Sequence, residues 1–358
     1  MWVHFSEGFV PFACPGFAVL DFLHNAPRAL NLGRAGVVLF FVISGFVIFG
    51  SLRNEPHGSA GRRFVITRFF RLYPAYWVSL VAGLIVLWWW PGKPISWSLV
   101  LANVTMLPSL FGQPYVVGLY WTLETELVFY ALCWGLHRAG WLDAPRVLVR
   151  MIIGLALFWL ALQASGNVIP GLRDVSSYWK LMPRHLAIMF WGALFRVVFD
   201  ETEGFRTRTA GNRHLWLLTG LMVALTCLDG WKGFKFLWGA AGSRPSAYVL
   251  VLPFFWLWTA WLRIQPRWLV WLGRVSYSLY LFHVIVQAPL LAAVADESHA
   301  ALRGWPLGLY LLVAAMATVL VSAAVYYAVE LPAIRQGRAL AQAVRARDTG
   351  RLSTTGAA

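Results

Sequence analysis

Charged residues are scarce in this chain, and acidic residues are the scarcest of them. Asp and Glu together number 15 of 358 residues, and all charged residues make up 13% of the sequence, whereas about 25% is usual in soluble domains. Apolar residues make up 59%. A soluble chain of this length could not bury so much apolar surface. The composition therefore excludes a soluble globular protein and indicates that lipid surrounds most of the chain.

Cysteine is also rare, and the common nucleotide-binding and metal-binding motifs are missing. The three cysteines, Cys14, Cys133 and Cys227, have no zinc-site spacing, which excludes a disulfide-rich fold or a zinc module. There is no Walker loop, no Rossmann fingerprint and no lipase elbow. No internal repeat is visible either, which argues against the inverted-repeat architecture of many transporters. No bound cofactor or metal is expected.

Long apolar runs are what the sequence does contain. They do not alternate apolar and polar residues, so they predict membrane helices and exclude barrel strands. The predicted spans are 36–52, 73–90, 115–136, 147–163, 180–199, 213–229, 246–263, 275–295 and 305–328. The stretch 96–111, which carries Asn103, is predicted to be a loop or half-buried segment, and residues 1–5 the last turn of a truncated first helix. The fold class is thus an all-α polytopic integral membrane protein of about ten transmembrane helices.

The net charge of +15 would suggest nucleic acid in a soluble protein, but in a membrane protein it fits basic cytoplasmic loops. If residues 53–72 are cytoplasmic, nineteen of the 30 Lys and Arg residues fall on that side and nine on the other. This places the C-terminus in the cytoplasm. The predicted organisation is a transmembrane domain over residues 1–335 and a basic cytoplasmic tail over 336–358.

Ionisable residues at membrane depth are expensive, so each is a candidate functional residue. Glu124 and Glu126 both lie inside the predicted span 115–136. Glu126 is one helical turn from Thr122 and from Tyr130, so these groups should share a face. That face could line a polar cavity, or the carboxylates could form structural ion pairs with basic residues on other helices.

Basic residues and histidines give three more candidates. Arg68 and Arg71 are three residues apart at a cytoplasmic span end, where two guanidiniums suit a phosphate-rich ligand, although the positive-inside rule also explains them. His4 stands in an apolar context, and a neutral imidazole can act as a general base, although a lone histidine at a membrane boundary is more often only interfacial. His283 shares a helical face with Ser276 and Tyr280, which could form a hydrogen-bonded core cluster instead of a catalytic one.

Six motifs in order resemble the membrane-bound acyltransferase-3 family of integral membrane O-acyltransferases. They lie between residues 3 and 332 and therefore cover nearly the whole chain. They are Val3-His4-Phe5, Gly36-Val37 with Phe40-Phe41-Val42-Ile43-Ser44-Gly45-Phe46, Arg68-Phe69 with Arg71-Leu72-Tyr73-Pro74, Trp121-Thr122-Leu123 with Glu126 and Phe129-Tyr130, Gly273 with Ser276-Tyr277-Ser278-Leu279-Tyr280-Leu281 and His283, and Glu330-Leu331-Pro332.

The resemblance implies ten helices with both ends cytoplasmic, a cytoplasmic acyl-CoA donor and an acceptor reached from the outer side. The match to His4 makes it the predicted general base. Our mechanistic hypothesis adds that Glu126 orients this base or stabilises its charge, and that acyl-CoA binds with its phosphates near Arg68 and Arg71. The family's Arg, eleven positions before this histidine, would lie upstream of Met1, so we expect either a start codon upstream of Met1 or a truncated form.

The remaining predicted site residues have supporting roles: Glu124, Tyr130, Ser276, Tyr277, Tyr280 and His283. Tyr277 and Tyr280 are candidates to stabilise the oxyanion of the reaction. The predicted reaction moves an acyl group to a hydroxyl of a cell-surface or exported carbohydrate at the inner membrane. Acetyl is the acyl group expected. Alternatives are a glycosylated small molecule such as a macrolide as acceptor, or a different function altogether as a transporter or flippase of a lipid-linked sugar.

Overall fold

The structure, a computed structural model, describes residues 2–14, 32–53, 60–142, 144–165, 177–200, 213–231, 246–262 and 265–355. These residues form helices, turns and short connections, and no strand occurs among them. The prediction of an all-α polytopic membrane protein is confirmed. Some basic loop residues used in the charge argument, such as Arg28, Arg173 and Arg206, lie outside the described residues.

Twelve α-helices are numbered here in chain order within the described part of the chain. They are α1 Trp2–Phe9, α2 Leu32–Arg53, α3 Ala60–Leu84, α4 Trp97–Val104, α5 Trp121–Arg138, α6 Pro145–Ser165, α7 Ser177–Asp200, α8 Arg213–Trp231, α9 Ser246–Leu257, α10 Arg267–Ala295, α11 Leu307–Val325 and α12 Leu331–Thr355. Helices α3, α9 and α11 each continue into a π-helical turn, at Ile85–Trp89, Trp258–Leu262 and Tyr326–Glu330. Three 3₁₀ turns occur at Val10–Phe12, Pro108–Phe111 and Glu297–Leu302.

Six helical segments of the described chain are long and apolar enough to cross a membrane. They are Leu32–Leu52, Ala60–Trp89, Pro145–Gln163, Tyr178–Asp200, Arg267–Ala295 and Leu307–Arg347, and each contains or overlaps a predicted span. The other predicted spans, 115–136, 213–229 and 246–263, also contain helices. The first of these was predicted to begin too early, since α5 begins at Trp121 and residues 112–120 form a loop.

The described chain divides into two compact units. The first unit comprises Met1–Arg28, Gly58–Leu123 and Gln265–Ala358, and the second comprises Ala29–His57 and Glu124–Ile264. Helix α12 belongs to the first unit and runs without interruption across residue 335, where the basic tail was predicted to begin. Residues 356–358 of that tail lie outside the described residues.

In the first unit, the short helix α1 packs against α10 and α11 through large apolar side chains. Phe5 and Phe9 of α1 are each 1% exposed. The ring of Phe9 stacks on that of Tyr310 with centroids 5.1 Å apart. The cluster is completed by Val294, Leu307, Leu311 and Ala314. Burial of these side chains holds α1, and with it His4, against α10.

The predicted loop or half-buried segment 96–111 contains α4 and a 3₁₀ turn, and Asn103 ties it to the next loop. The Asn103 side chain is fully buried. Its Nδ2 donates to the Leu99 and Pro114 carbonyls at 2.9 and 3.0 Å, and its Oδ1 accepts from the Val116 amide at 3.1 Å. These bonds satisfy polar backbone groups of the loop that precedes α5, which begins later than predicted.

In the second unit, α2 and α7 cross with their backbones in direct contact. A Cβ on Gly45 would lie 1.9 Å from the Met189 carbonyl oxygen, and one on Gly192 would lie 2.3 Å from the Val42 carbonyl oxygen. Each helix therefore needs a residue without a side chain at the crossing. Small residues commonly permit such close backbone contact between membrane helices.

Replacing Gly45 with Ala should weaken this crossing. The added methyl group meets backbone, which cannot rotate away, so we expect a loss of stability of about 1–3 kcal/mol. The midpoint of thermal unfolding of detergent-solubilised protein measures it. Gly154→Ala in α6 is the matched control, because a Cβ there meets nothing within 4 Å. Equal midpoints for the two variants would contradict the assigned crossing.

Candidate active site

Helix α1 is fixed to α10 at the position of His4. The Gln287 side-chain amide donates to the backbone carbonyl of His4 at 2.7 Å, and Gln287 itself is buried. A Cβ on Gly8 would lie 2.5 Å from the same amide nitrogen. The close approach of Gly8 to Gln287 and the hydrogen bond to His4 together determine the axial position and rotation of α1 against α10.

This docking brings together two histidines that are 279 positions apart in the sequence. The imidazole centroids of His4 and His283 lie 5.6 Å apart, with their planes tilted by 40°. The Phe5 ring meets His283 edge-on at 6.3 Å. His283 is 3% exposed, whereas His4 is exposed. The two imidazoles form one site with a buried and an accessible member.

Three supporting hydroxyls of α10, those of Ser276, Tyr277 and Tyr280, donate to backbone carbonyls. Tyr277 donates to the Leu72 carbonyl at 2.9 Å, and Tyr280 donates to the Leu119 carbonyl at 2.8 Å. Tyr280 also lies 2.6 Å from the Thr122 hydroxyl. Ser276 is exposed and donates to the Gly273 carbonyl of its own helix at 2.8 Å. The oxyanion role of the two tyrosines stays a prediction, and the structure assigns both of them a bond that joins segments distant in sequence.

Arg71 forms an ion pair with Glu330, a residue that sequence reasoning placed in a motif but not in the site. Glu330 is 1% exposed, and its Oε1 accepts from the Arg71 guanidinium. Its Oε2 accepts from the Ser278 hydroxyl at 2.6 Å. The Arg71 guanidinium also lies over the Tyr277 ring at 5.4 Å. The sequence could have identified Glu330 as a candidate site residue, because it is an acidic residue at the end of the apolar run 305–328.

Arg68 lies one turn before Arg71 on α3, as predicted from their spacing. Its guanidinium lies 5.5 Å from the centroid of the Phe64 ring. Both arginines are partly exposed, so the N-terminal half of α3 presents two guanidiniums. A planar guanidinium can hold a carboxylate on one edge and an oxyanion on another. The pairing of Arg71 with Glu330 is therefore compatible with acyl-CoA binding, which stays a prediction.

Glu126 lies in the second unit, where two hydroxyls hold its carboxylate. Ser44 of α2 donates to Glu126 Oε1 at 2.7 Å, and Tyr130 donates to the same oxygen at 2.6 Å. The predicted shared face of Glu126 and Tyr130 is confirmed. Glu124 is fully buried in the same helix. The catalytic role of Glu126 stays a prediction.

Sequence reasoning gave no role to two adjacent buried residues of α7, Arg184 and His185. They are 2% and 3% exposed. The Arg184 guanidinium lies over the Trp159 ring at 4.9 Å, and the His185 ring lies 4.9 Å from that of Phe41. Two ionisable residues within the apolar run 180–199 were a sufficient signal, since such residues are rare inside membrane helices.

A comparison with known families identifies the chain. The family described as an acyltransferase domain matches residues 1–327. The chain belongs to the acyltransferase-3 family. This acyltransferase is 27% identical over 323 residues to the exopolysaccharide production protein ExoZ of Rhizobium meliloti (strain 1021), which covers 86% of this chain and 92% of the relative.

A viral relative gives the same indication. This acyltransferase is 25% identical over 264 residues to ORF330 of Acidianus two-tailed virus, whose name describes it as an acetyltransferase. The match covers 71% of this chain and 73% of the relative. No solved structure matches the chain at a significant level. The protein is thus a multi-pass membrane acyltransferase.

Proposed function

We propose that this acyltransferase moves an acyl group, by preference acetyl, from cytoplasmic acyl-CoA to a hydroxyl of a cell-surface or exported carbohydrate. The observation that carries the proposal is the histidine site of the first unit. His4 presents an accessible imidazole beside the buried His283, with ring centroids 5.6 Å apart. Such an imidazole can remove the proton of a hydroxyl and return it to a leaving group.

The reaction balances with His4 as the proton carrier. His4 takes the proton of the acceptor hydroxyl while its oxygen attacks the thioester carbonyl carbon. The C–O bond forms, the C–S bond breaks, and the thiolate of CoA leaves. The imidazolium of His4 then returns the proton to the sulfur, so the products are an O-acyl ester and CoA. These reaction steps balance without a metal or a redox partner.

The donor would bind beside the N-terminal half of α3, which carries Arg68 and Arg71. Coenzyme A bears phosphate groups, and guanidiniums bind phosphate oxygens through paired hydrogen bonds. Arg68 and Arg71 belong to the same unit as His4 and His283. The distribution of Lys and Arg supports a cytoplasmic position for this half of α3, an inner-membrane location and a cytoplasmic C-terminus.

The name of the relative ExoZ supports the choice of acceptor. That relative is described as an exopolysaccharide production protein, and polysaccharides offer many hydroxyl groups. A glycosylated small molecule such as a macrolide offers the same chemistry and is the second candidate acceptor. The acceptor would reach His4 from the outer side.

The test uses the full chain in lipid bilayers with radiolabelled acetyl-CoA. An exopolysaccharide treated with alkali, which removes existing esters, is supplied as acceptor. We expect CoA release that depends on the polysaccharide and label in the polysaccharide that alkali removes. A macrolide glycoside is supplied in a parallel reaction to compare the two acceptor classes.

A transporter or flippase of a lipid-linked sugar is the rival function. It would move a fluorescent lipid-linked sugar across proteoliposomes without acetyl-CoA. Sugar movement with no acceptor-dependent CoA release would overturn the proposed reaction. Label on the macrolide alone would retain the acyl transfer and replace the acceptor.

A further inference from the structure

The hydrogen bonds of His283 fix which of its ring nitrogens carries the proton. Nδ1 lies 2.8 Å from the Tyr280 carbonyl oxygen and 3.3 Å from that of Leu279. A carbonyl oxygen can only accept, so Nδ1 must be the donor and must carry the hydrogen. In a neutral imidazole the other nitrogen, Nε2, then holds a lone pair. The backbone of α10 therefore makes His283 a hydrogen-bond acceptor at Nε2.

That acceptor has no partner among the described residues. Nε2 of His283 is buried and makes no hydrogen bond to these residues. Solvent cannot replace the missing partner, because His283 is only 3% exposed. Buried polar atoms are nearly always paired in native proteins, and an unpaired one needs an explanation. A partner that the site gains or completes during its reaction would supply one.

The ring of His4 lies at the right distance to be that partner. Two imidazoles joined end to end by an N–H···N bond of about 2.9 Å have centroids about 5.2 Å apart. The observed centroid separation is 5.6 Å. No described residue makes a hydrogen bond to the His4 ring, whereas Gln287 holds its backbone at 2.7 Å. Rotation of the His4 side chain would complete the bond while the contact of Gln287 with the His4 backbone holds α1 in place.

We propose that His283 is a positioning residue, whose Nε2 accepts a hydrogen bond from one ring N–H of His4. The bond fixes the tautomer of His4 so that its other nitrogen holds the lone pair that takes the proton of the acceptor hydroxyl. A general base needs such an orienting group on its far nitrogen. Membrane acyl transfer would thus use a pair of histidines, with the neutral His283 in place of a carboxylate.

This inference rests on the proposed function and adds the requirement that His283 orient His4. When His4 becomes an imidazolium, its N–H bond to His283 strengthens, because a charged donor makes the stronger hydrogen bond. His283 keeps its own proton on Nδ1 throughout. The orientation is supplied by backbone carbonyls of α10, which no single side-chain substitution removes.

Two substitutions at one position separate a positioning role from a packing role. His283→Phe keeps a ring of similar shape but has no acceptor atom. His283→Gln places an amide oxygen near the position of Nε2 and can still accept a hydrogen bond. Acetyl transfer to alkali-treated exopolysaccharide is measured for the full chain in bilayers. His137→Phe is the matched control, since His137 is also buried in a helix but lies in the second unit.

We expect His283→Phe to lower kcat about 100-fold or more, as loss of an orienting partner of a general base does. KM for acetyl-CoA should stay within about threefold, since the loss is in the transition state. His283→Gln should recover at least about tenfold in kcat over His283→Phe. Wild-type kcat in His283→Phe, or equal losses in the Phe and Gln variants, would overturn the positioning role.

A measurement that does not depend on activity separates this inference from the proposed function. Nitrogen-15 NMR of histidine-labelled protein in bilayers distinguishes the two neutral tautomers. We expect one tautomer for His4 in the wild-type chain and a mixture in His283→Phe, with His4→Ala providing the assignment. A mixture for His4 in the wild type overturns the inference even if acyl transfer occurs. A single tautomer without acyl transfer supports the pair and overturns the proposed reaction.

Discussion

Replacing His4 with Ala is expected to abolish acyl transfer while the protein still inserts in the membrane. Loss of a general base costs about 10²–10⁴-fold in rate. The imidazole is exposed, and the contact that docks α1 uses the His4 backbone carbonyl, which Ala retains. Folding should therefore be nearly unchanged. Acetyl transfer per mole of folded protein, with folding followed by size-exclusion chromatography, measures the effect.

The control for this substitution is His299→Ala. His299 lies in the 3₁₀ turn Glu297–Leu302, and 54% of its side chain is exposed. It loses an imidazole of the same size at a position remote from the pair, and its activity should match the wild type. Retained acyl transfer in His4→Ala would exclude His4 as the base.

Replacing Arg71 with Met is expected to destabilise the protein strongly, by leaving Glu330 as a buried unpaired carboxylate. Removing one partner of a buried ion pair costs about 3–5 kcal/mol. The lower end applies here, because 32% of the Arg71 side chain is exposed whereas that of Glu330 is fully buried. The midpoint of thermal unfolding in detergent should fall well below the wild-type value, and the yield of folded protein with it.

The double variant Arg71→Met with Glu330→Met separates stability from donor binding. It removes both charges, and such replacements by apolar residues are often neutral or stabilising. We expect its unfolding midpoint to return towards the wild-type value. If Arg71 also contacts a phosphate of acyl-CoA, KM for acetyl-CoA stays raised in the recovered protein. A wild-type KM there would remove Arg71 from the donor site, and a midpoint no higher than that of Arg71→Met would contradict the ion-pair argument.

Sequence patterns mispredict the start of α5. The apolar run predicts a helix from residue 115, but α5 begins at Trp121. The residues before it form a loop, in which backbone groups of Pro114 and Val116 bond to the buried Asn103 amide. Hydropathy cannot detect this, since an apolar loop and an apolar helix have the same composition. By contrast, the contact of Tyr130 with Glu126 could be predicted, since the i, i+4 spacing on one helix sets it.

For Glu330 the sequence reveals the residue but not its partner. Its position at the end of an apolar run made it conspicuous, yet nothing local selects Arg71, which is 259 positions away. The carboxylate also pairs with Ser278, and that bond depends on how α10 lies beside the π-helical turn that follows α11. A buried charge needs a partner because an unpaired one is energetically costly. The packing of the helices determines which residue is that partner.

The sequence by itself determined that this protein is helical, crosses the membrane several times and belongs with the acyltransferases. These follow from contiguous features, namely apolar length and ordered motifs, which each segment carries on its own. Only the tertiary structure decided that His4 meets His283, and that Nε2 of His283 is the nitrogen left to accept. The second fact depends on the side-chain conformation of His283, whose Nδ1 donates to the Tyr280 carbonyl of its own helix. The first depends on the docking of α1 against α10 by Gln287 and Gly8, a contact between chain segments that lie nearly 300 residues apart.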